Sequence, residues 1–236
     1  MIAVFKREFR SYFTTPVGYA VMAILLFFSG LYFTQYNLEG HSTSLMGVYA
    51  NLFSIVVLVV LPILTMRAFS EEKRQRTDQA LFTAPVSLTG IVMGKFLAAM
   101  ALFALALSVT FVYAIVIATQ VTPDWAVIIA NYLGMLLMAG LVVAAGLLFS
   151  SFTESQFVAA IITFAFSFML MMIDTLAQLT AATPWLSEAI SFMSVQTRYT
   201  GFTQGMIHYD NVFFFLSMQA LFLFLTVRVL DTKRWN

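Results

Sequence analysis

Residues 55–78 read IVVLVVLPILTMRAFSEEKRQRTD, an uncharged apolar run that breaks at Arg67 into an island of seven charged groups ending at Asp78. The chain holds 12 basic and 11 acidic residues in all, so this short island concentrates a large part of its charge. An apolar run of this kind loses free energy in water, and the charged groups that follow it lose free energy in hydrocarbon. The stretch therefore predicts a membrane helix that reaches its aqueous face at Arg67.

The composition carries that prediction outward. Of 236 residues, 61% are hydrophobic and only 10% charged, against roughly 25% charged in soluble domains. The expected fold class is an all-α polytopic membrane protein forming one domain over residues 1–236. A bilayer core about 30 Å thick needs roughly 20 helical residues, and six stretches meet that length: 17–36, 46–66, 91–118, 126–149, 156–178 and 210–230. The absence of cysteine excludes disulfides and cysteine-based metal or nucleophile sites. The N-terminal segment has charges embedded in it and no small-residue cleavage site, so it reads as a retained terminus and not as a signal peptide.

Six crossings put both ends of the chain on one side. Eleven of the basic residues then lie on that side or at its interface, with Arg198 alone opposite. The positive-inside bias predicts that this side is cytoplasmic. Over residues 1–14, Ile2, Phe5, Phe9, Tyr12 and Phe13 share one helical face, while Arg7, Glu8, Arg10 and Ser11 point elsewhere. That pattern predicts an interfacial helix with Phe5 and Phe9 at the headgroup boundary and Lys6, Arg7 and Arg10 toward lipid phosphates. Pro16 and Gly18 turn the chain into the first span. The semi-polar segment 184–207 is too short for two more spans and predicts re-entrant helices at the outer surface.

Within the island, Ser70 offers an N-cap oxygen, and Glu72–Arg76 and Arg74–Asp78 have the spacing of helical ion pairs. The following Leu81 and Phe82 are apolar, so a helix over 70–84 would carry a charged first part and a hydrophobic second part. A solvated loop has no need of that second part, whereas docking into a partner groove does. The short loop through Ser151 and Glu154 shares this face and supplies a second contact. Inside the membrane little can couple to an ion gradient: Asp174 falls near the outer headgroups, Lys95 can snorkel to the cytoplasmic side, and Asn131 and Gln219 can pair across helices. Pro62 predicts a kink in the second span. The glycines Gly90 and Gly94 of the third span and Gly134, Gly140 and Gly146 of the fourth permit close helix approach, within the subunit or toward a second one. Pro62, Asn131 and Asp174 are candidates for a substrate path or for helix packing. No metal-ligand spacing, no serine with a credible base and no GxxxxGK[ST] phosphate loop is present, so no catalytic, cofactor or metal residues are expected.

Several ordered stretches carry a family resemblance: FKREFRSYFTTPVGY at 5–19, TMRAFSEEKRQRT at 65–77 after Pro62, LFTAPV at 81–86, GKF at 94–96 and LFLFLTVRVL at 221–230 followed by Arg234 and Trp235. Together they resemble the ABC-2 type permease family, and closely its gliding-motility-type branch. The resemblance implies a bacterial inner-membrane location and a type V exporter-like permease fold in which 1–14 is the connecting helix. It also implies that 70–84 is a coupling helix seated in an ATPase subunit, with Ser70, Glu71, Glu72, Lys73, Arg74, Arg76, Asp78, Leu81 and Phe82 at the contact and Ser151 and Glu154 beside it. The implied partners are a dimer of cytoplasmic ATPases, which would hold the ATP and magnesium, and a second permease subunit, identical or related. Residues 76–79, RTDQ, depart from the family's more usual GTLE. No nucleic-acid partner is expected. Two other functions are open: ATP-driven mechanotransmission to a periplasmic or envelope partner, which would use the same coupling helix, and an ion-coupled secondary carrier, which would need an ionisable site in the membrane core.

Overall fold

In the computed structural model, residues 1–76, 87–179 and 194–235 are described, and these are helical throughout their regular parts. Asp78, Leu81 and Phe82, with the rest of 77–86, lie outside them, as does the 184–193 part of the expected outer segment. The helices are α1 (Ile2–Thr14), α2 (Pro16–Phe33), α3 (Met46–Ile55), α4 (Leu61–Thr65), α5 (Ser70–Arg74), α6 (Leu88–Leu107), α7 (Val109–Ala118), α8 (Trp125–Phe152), α9 (Gln156–Leu179), α10 (Val195–Thr203) and α11 (Tyr209–Trp235). Six of the helical stretches are long and apolar enough to cross a membrane: Pro16–Glu39, Met46–Arg74, Leu88–Ala118, Trp125–Phe152, Gln156–Ala177 and Tyr209–Thr232. The protein is thus a multi-pass all-α membrane protein.

Local chemistry sets the ends of these spans. Pro16 occupies the first position of α2, where its missing N–H costs nothing. The Asp124 carboxylate accepts hydrogen bonds from the Ala126 and Val127 amides at 3.1 and 3.3 Å and starts α8. Ser87 and Ser194 cap α6 and α10 by accepting from Gly90 and Thr197. The second span changes helix type where its sequence requires it: α3 opens into a π-helical turn over Val56–Val60, immediately before Pro62. Proline has no N–H to continue an α-helical ladder, and a π-turn re-registers the carbonyls around such a break. Pro62 is buried.

Span four is the axis of the bundle. Most of α8 is buried, whereas spans one, five and six bury only a minority of their residues. All three of its glycines face neighbours within the subunit. A methyl group on Gly134 would meet the Phe202 ring at 2.6 Å, one on Gly140 the Gln219 amide at 2.7 Å, and one on Gly146 the Thr65 Cβ at 2.7 Å. These glycines receive α10, span six and the end of span two respectively. The two core amides do not pair with each other, because each bonds to a backbone carbonyl instead. Asn131, fully buried, donates to Val127 O at 2.8 Å and Thr203 O at 3.4 Å, while Gln219 donates to Leu137 O at 2.8 Å. Asp174 lies on α9 in the last third of span five, and its side chain is outside the described part.

Close packing at Gly146 leads to a measurable expectation. Gly146→Val forces Thr65 and α8 apart and lowers stability by about 1–3 kcal/mol, the usual cost of overpacking. Gly30→Ala, in α2 with no atom nearer than 3.6 Å to the added methyl, is neutral or slightly stabilising because alanine suits a helix better than glycine. Thermal unfolding of the two purified variants beside the parent separates these outcomes.

Candidate functional site

The charged island does not stand out in solvent. Its α5 helix is bolted to the ends of three other helices at the basic end of the bundle. Ser70 is not the cap of this helix: Phe69 occupies the cap position, and the Ser70 hydroxyl donates back to the Met66 carbonyl. The capping oxygen comes from span four, where Ser150 Oγ accepts from both the Phe69 and Ser70 amides at 3.0 Å. Lys73 adds a second tie by donating to the Ser151 carbonyl. Ser151 is fully buried and its own hydroxyl bonds to Leu148 O, whereas Glu154 is exposed beyond the end of α8.

The ion pairing also differs from the helical spacing. Arg76 adopts a left-handed backbone, φ 55°, which takes it out of register with Glu72. Glu72 turns inward instead, meeting Lys95 Nζ at 2.9 Å and Arg7 at 2.8 Å. Arg67 pairs with Glu71 one helical turn on. Arg74, Gln75 and Arg76 remain exposed.

Lys95 is the centre of this junction, and it does not snorkel to water. Only 3% of its side chain is accessible. Its ammonium donates to the Ala68 carbonyl at 2.7 Å, meets Glu8 at 3.1 Å and Glu72 at 2.9 Å, and lies 5.1 Å from the centre of the Phe69 ring. Three helices converge on one cation: Glu8 from α1, Glu72 from α5 and Lys95 from α6. Arg7 closes the circuit by bonding both Glu8, at 2.7 Å, and Glu72. A buried ammonium with two carboxylates and a carbonyl around it is satisfied, and losing any partner strands charge in a medium that solvates it poorly.

Sequence at α1 explains how Glu8 reaches this point. Val4, Glu8 and Tyr12 recur every four residues and form one stripe of the helix. Val4 presses against Gly94, where an added methyl would come within 3.0 Å of it. The neighbouring Lys95 is then within reach of Glu8. Tyr12 continues the stripe, its hydroxyl 3.5 Å from Leu64 O, and burial raises its pKa. The aromatic residues Phe5, Phe9 and Phe13 form a second stripe, with centroids 5.8 and 5.2 Å apart in succession. Lys6 and Arg10 stay exposed. Lys95, Glu8 and Ser150 are the functional candidates that spacing missed. The available signal was that Glu8 is the lone acid among the α1 bases and Lys95 the one cation within the third span.

Between α1 and the island lies a cavity of about 410 Å³ walled by Arg7, Glu8, Tyr12, Arg67, Glu71 and Lys95, among others. Its charges are mutually compensated, which suits it to structural coupling more than to chemistry. Among the described residues no group of three His, Asp or Glu side chains is placed to hold a metal ion.

Burial pushes the Glu8 carboxyl up, but Lys95 and Arg7 outweigh it and hold its pKa below the ordinary value of 4.5. A depressed carboxylate stabilises the fold above its unfolded pKa, and that stabilisation is lost as pH falls through the lower folded value. The parent protein should therefore lose thermal stability below about pH 4.5 more steeply than Glu8→Gln. At neutral pH, Lys95→Met leaves Glu8 and Glu72 facing each other and costs about 3–5 kcal/mol, the range for breaking a buried pair. Adding Glu72→Gln to Lys95→Met should restore part of that loss in the same unfolding measurement.

Comparison with known families places this architecture. No curated protein matches the chain. Residues 2–235 match the family described as ABC-2 family transporter protein, and the match runs through all six spans and every helix of the junction. The chain is therefore a membrane permease belonging to the ABC-2 family of transporter proteins.

Proposed function

We propose that this permease is the membrane subunit through which a separate ATPase drives export or translocation, and that the α5 island is where the ATPase pushes. On this reading the basic end of the bundle faces the cytoplasm, in keeping with the eleven basic residues gathered there. The observation that carries the proposal is the contact set of α5: its outer residues Arg74 and Arg76 are exposed, while its inner residue Glu72 is ion-paired to α1 and span three. An element with one free face and one tied face can accept a load and pass it on.

The tied face divides the load. Ser150 and the Ser151 carbonyl connect α5 to span four, and Lys95 connects it to span three. ATPase closure against residues 70–84 would then tilt two spans and the interfacial helix together. The partners on this reading are a pair of ATPase subunits carrying ATP and magnesium, and a second permease. The stretches 5–19, 65–77 and 81–86 support placing the chain in the gliding-motility-type branch.

Two variants separate docking from transmission. Arg74→Glu should weaken capture of the cognate ATPase subunit in a pull-down by about tenfold or more, as expected for reversing an interfacial charge. Glu72→Gln should leave that capture within about twofold, because its carboxylate faces inward, while cutting the stimulation of ATP turnover in reconstituted vesicles. Unchanged capture with Arg74→Glu, together with unchanged turnover with Glu72→Gln, would remove the basis for this reading.

A further inference from the structure

The three bases of α1 have different fates. Arg7 is spent on Glu8 and Glu72. Lys6 and Arg10 are exposed and, among the described residues, pair with no carboxylate. They sit one turn apart along a helix edge, and Lys6 is also one turn from Ile2.

Ile2 borders an apolar groove. With Phe5 it forms one wall, and Leu97, Ala101 and Ala104 of span three with Leu136 of span four form the other; the groove holds about 460 Å³. From Leu97 to Ala104 it follows span three for roughly 10 Å at the helical rise. It thus runs lengthwise beside span three, starting two residues beyond Lys95. Ile2 is 66% exposed, so the wall is open to hydrocarbon, and the unpaired cations lie on the helix that forms it.

We propose that this groove seats one acyl chain of an anionic phospholipid whose phosphate is held by Lys6 and Arg10. The apolar lining takes a chain of any phospholipid, and the two free cations select for net negative charge. A zwitterionic lipid offers its phosphate with a compensating ammonium and gains less. The seat lies between α1, α6 and Leu136 of α8 and does not depend on an ATPase, so its failure would leave the coupling role of α5 untouched.

Native mass spectrometry of the purified full chain, with phosphatidylglycerol or phosphatidylcholine of identical acyl chains as probes, tests the site. The parent should retain phosphatidylglycerol over phosphatidylcholine by about tenfold or more, the scale of two basic groups acting at a membrane surface. Lys6→Gln with Arg10→Gln, both surface changes, should bring the two lipids to near parity. Ala101→Phe, which fills the groove from span three, should reduce retention of both. Equal retention by the parent, a preference that survives the double substitution, or retention of both lipids undiminished by Ala101→Phe would each overturn the assignment.

Discussion

An ammonium buried within a helical bundle is the constraint around which the basic end of this protein is organised. Lys95 sits inside span three with almost no access to water. Its charge must be met by the surrounding helices. Glu8, Glu72 and the Ala68 carbonyl do so from α1, α5 and the end of span two. One cation in span three thereby fixes α1 against α5 and the end of span two. The net stabilisation from such a cluster is small, because desolvation offsets most of the Coulomb attraction, but removing one member is costly. Geometry is what the cluster contributes: each charge has a place, and none can move far alone.

Span four supplies the complementary constraint. Its glycines let span two, α10 and span six approach its backbone closely, which is how helices associate where lipid offers no hydrophobic drive. Its last turn then presents Ser150 to the amides at the start of α5. The helix termini that a bilayer protein must satisfy are here satisfied by a different span. Capping and tethering are the same pair of hydrogen bonds, so α5 cannot leave span four without exposing its own first amides.

Much of this architecture was legible from residue order. Continuous apolar runs mark the six spans, and the basic residues flanking them mark one end of the bundle, because both patterns follow from transfer free energies that act residue by residue. The junction was not legible for a related reason: ion pairing between distant segments leaves no periodicity. Glu72 and Arg76 have helical spacing, yet the left-handed Arg76 breaks that register and a cation 23 positions further on takes Glu72 instead. Lys95 reads as a snorkelling side chain unless Val4 is known to rest on Gly94. Ser70 reads as a cap unless Ser150 is known to accept from the Phe69 and Ser70 amides and the Ser70 hydroxyl to turn back to Met66 O. In each case a local rule was overruled by a partner more than 20 residues away.

The chemical nature of the junction bears on how motion could pass through it. Apolar helix contacts are non-directional, and neighbouring faces can slide by exchanging one set of van der Waals contacts for another. Ion-paired hydrogen bonds weaken steeply when stretched or bent, so they resist displacement in a defined direction. The bundle combines the two. Spans five and six bury only a minority of their residues and present mostly apolar side chains, but span six is held to span four where Gln219 meets Gly140 and Leu137 O. Spans three and four are pinned to α5 by Lys95 and Ser150. On the proposed role of α5, a load on its exposed side would pass along these ties to spans three and four.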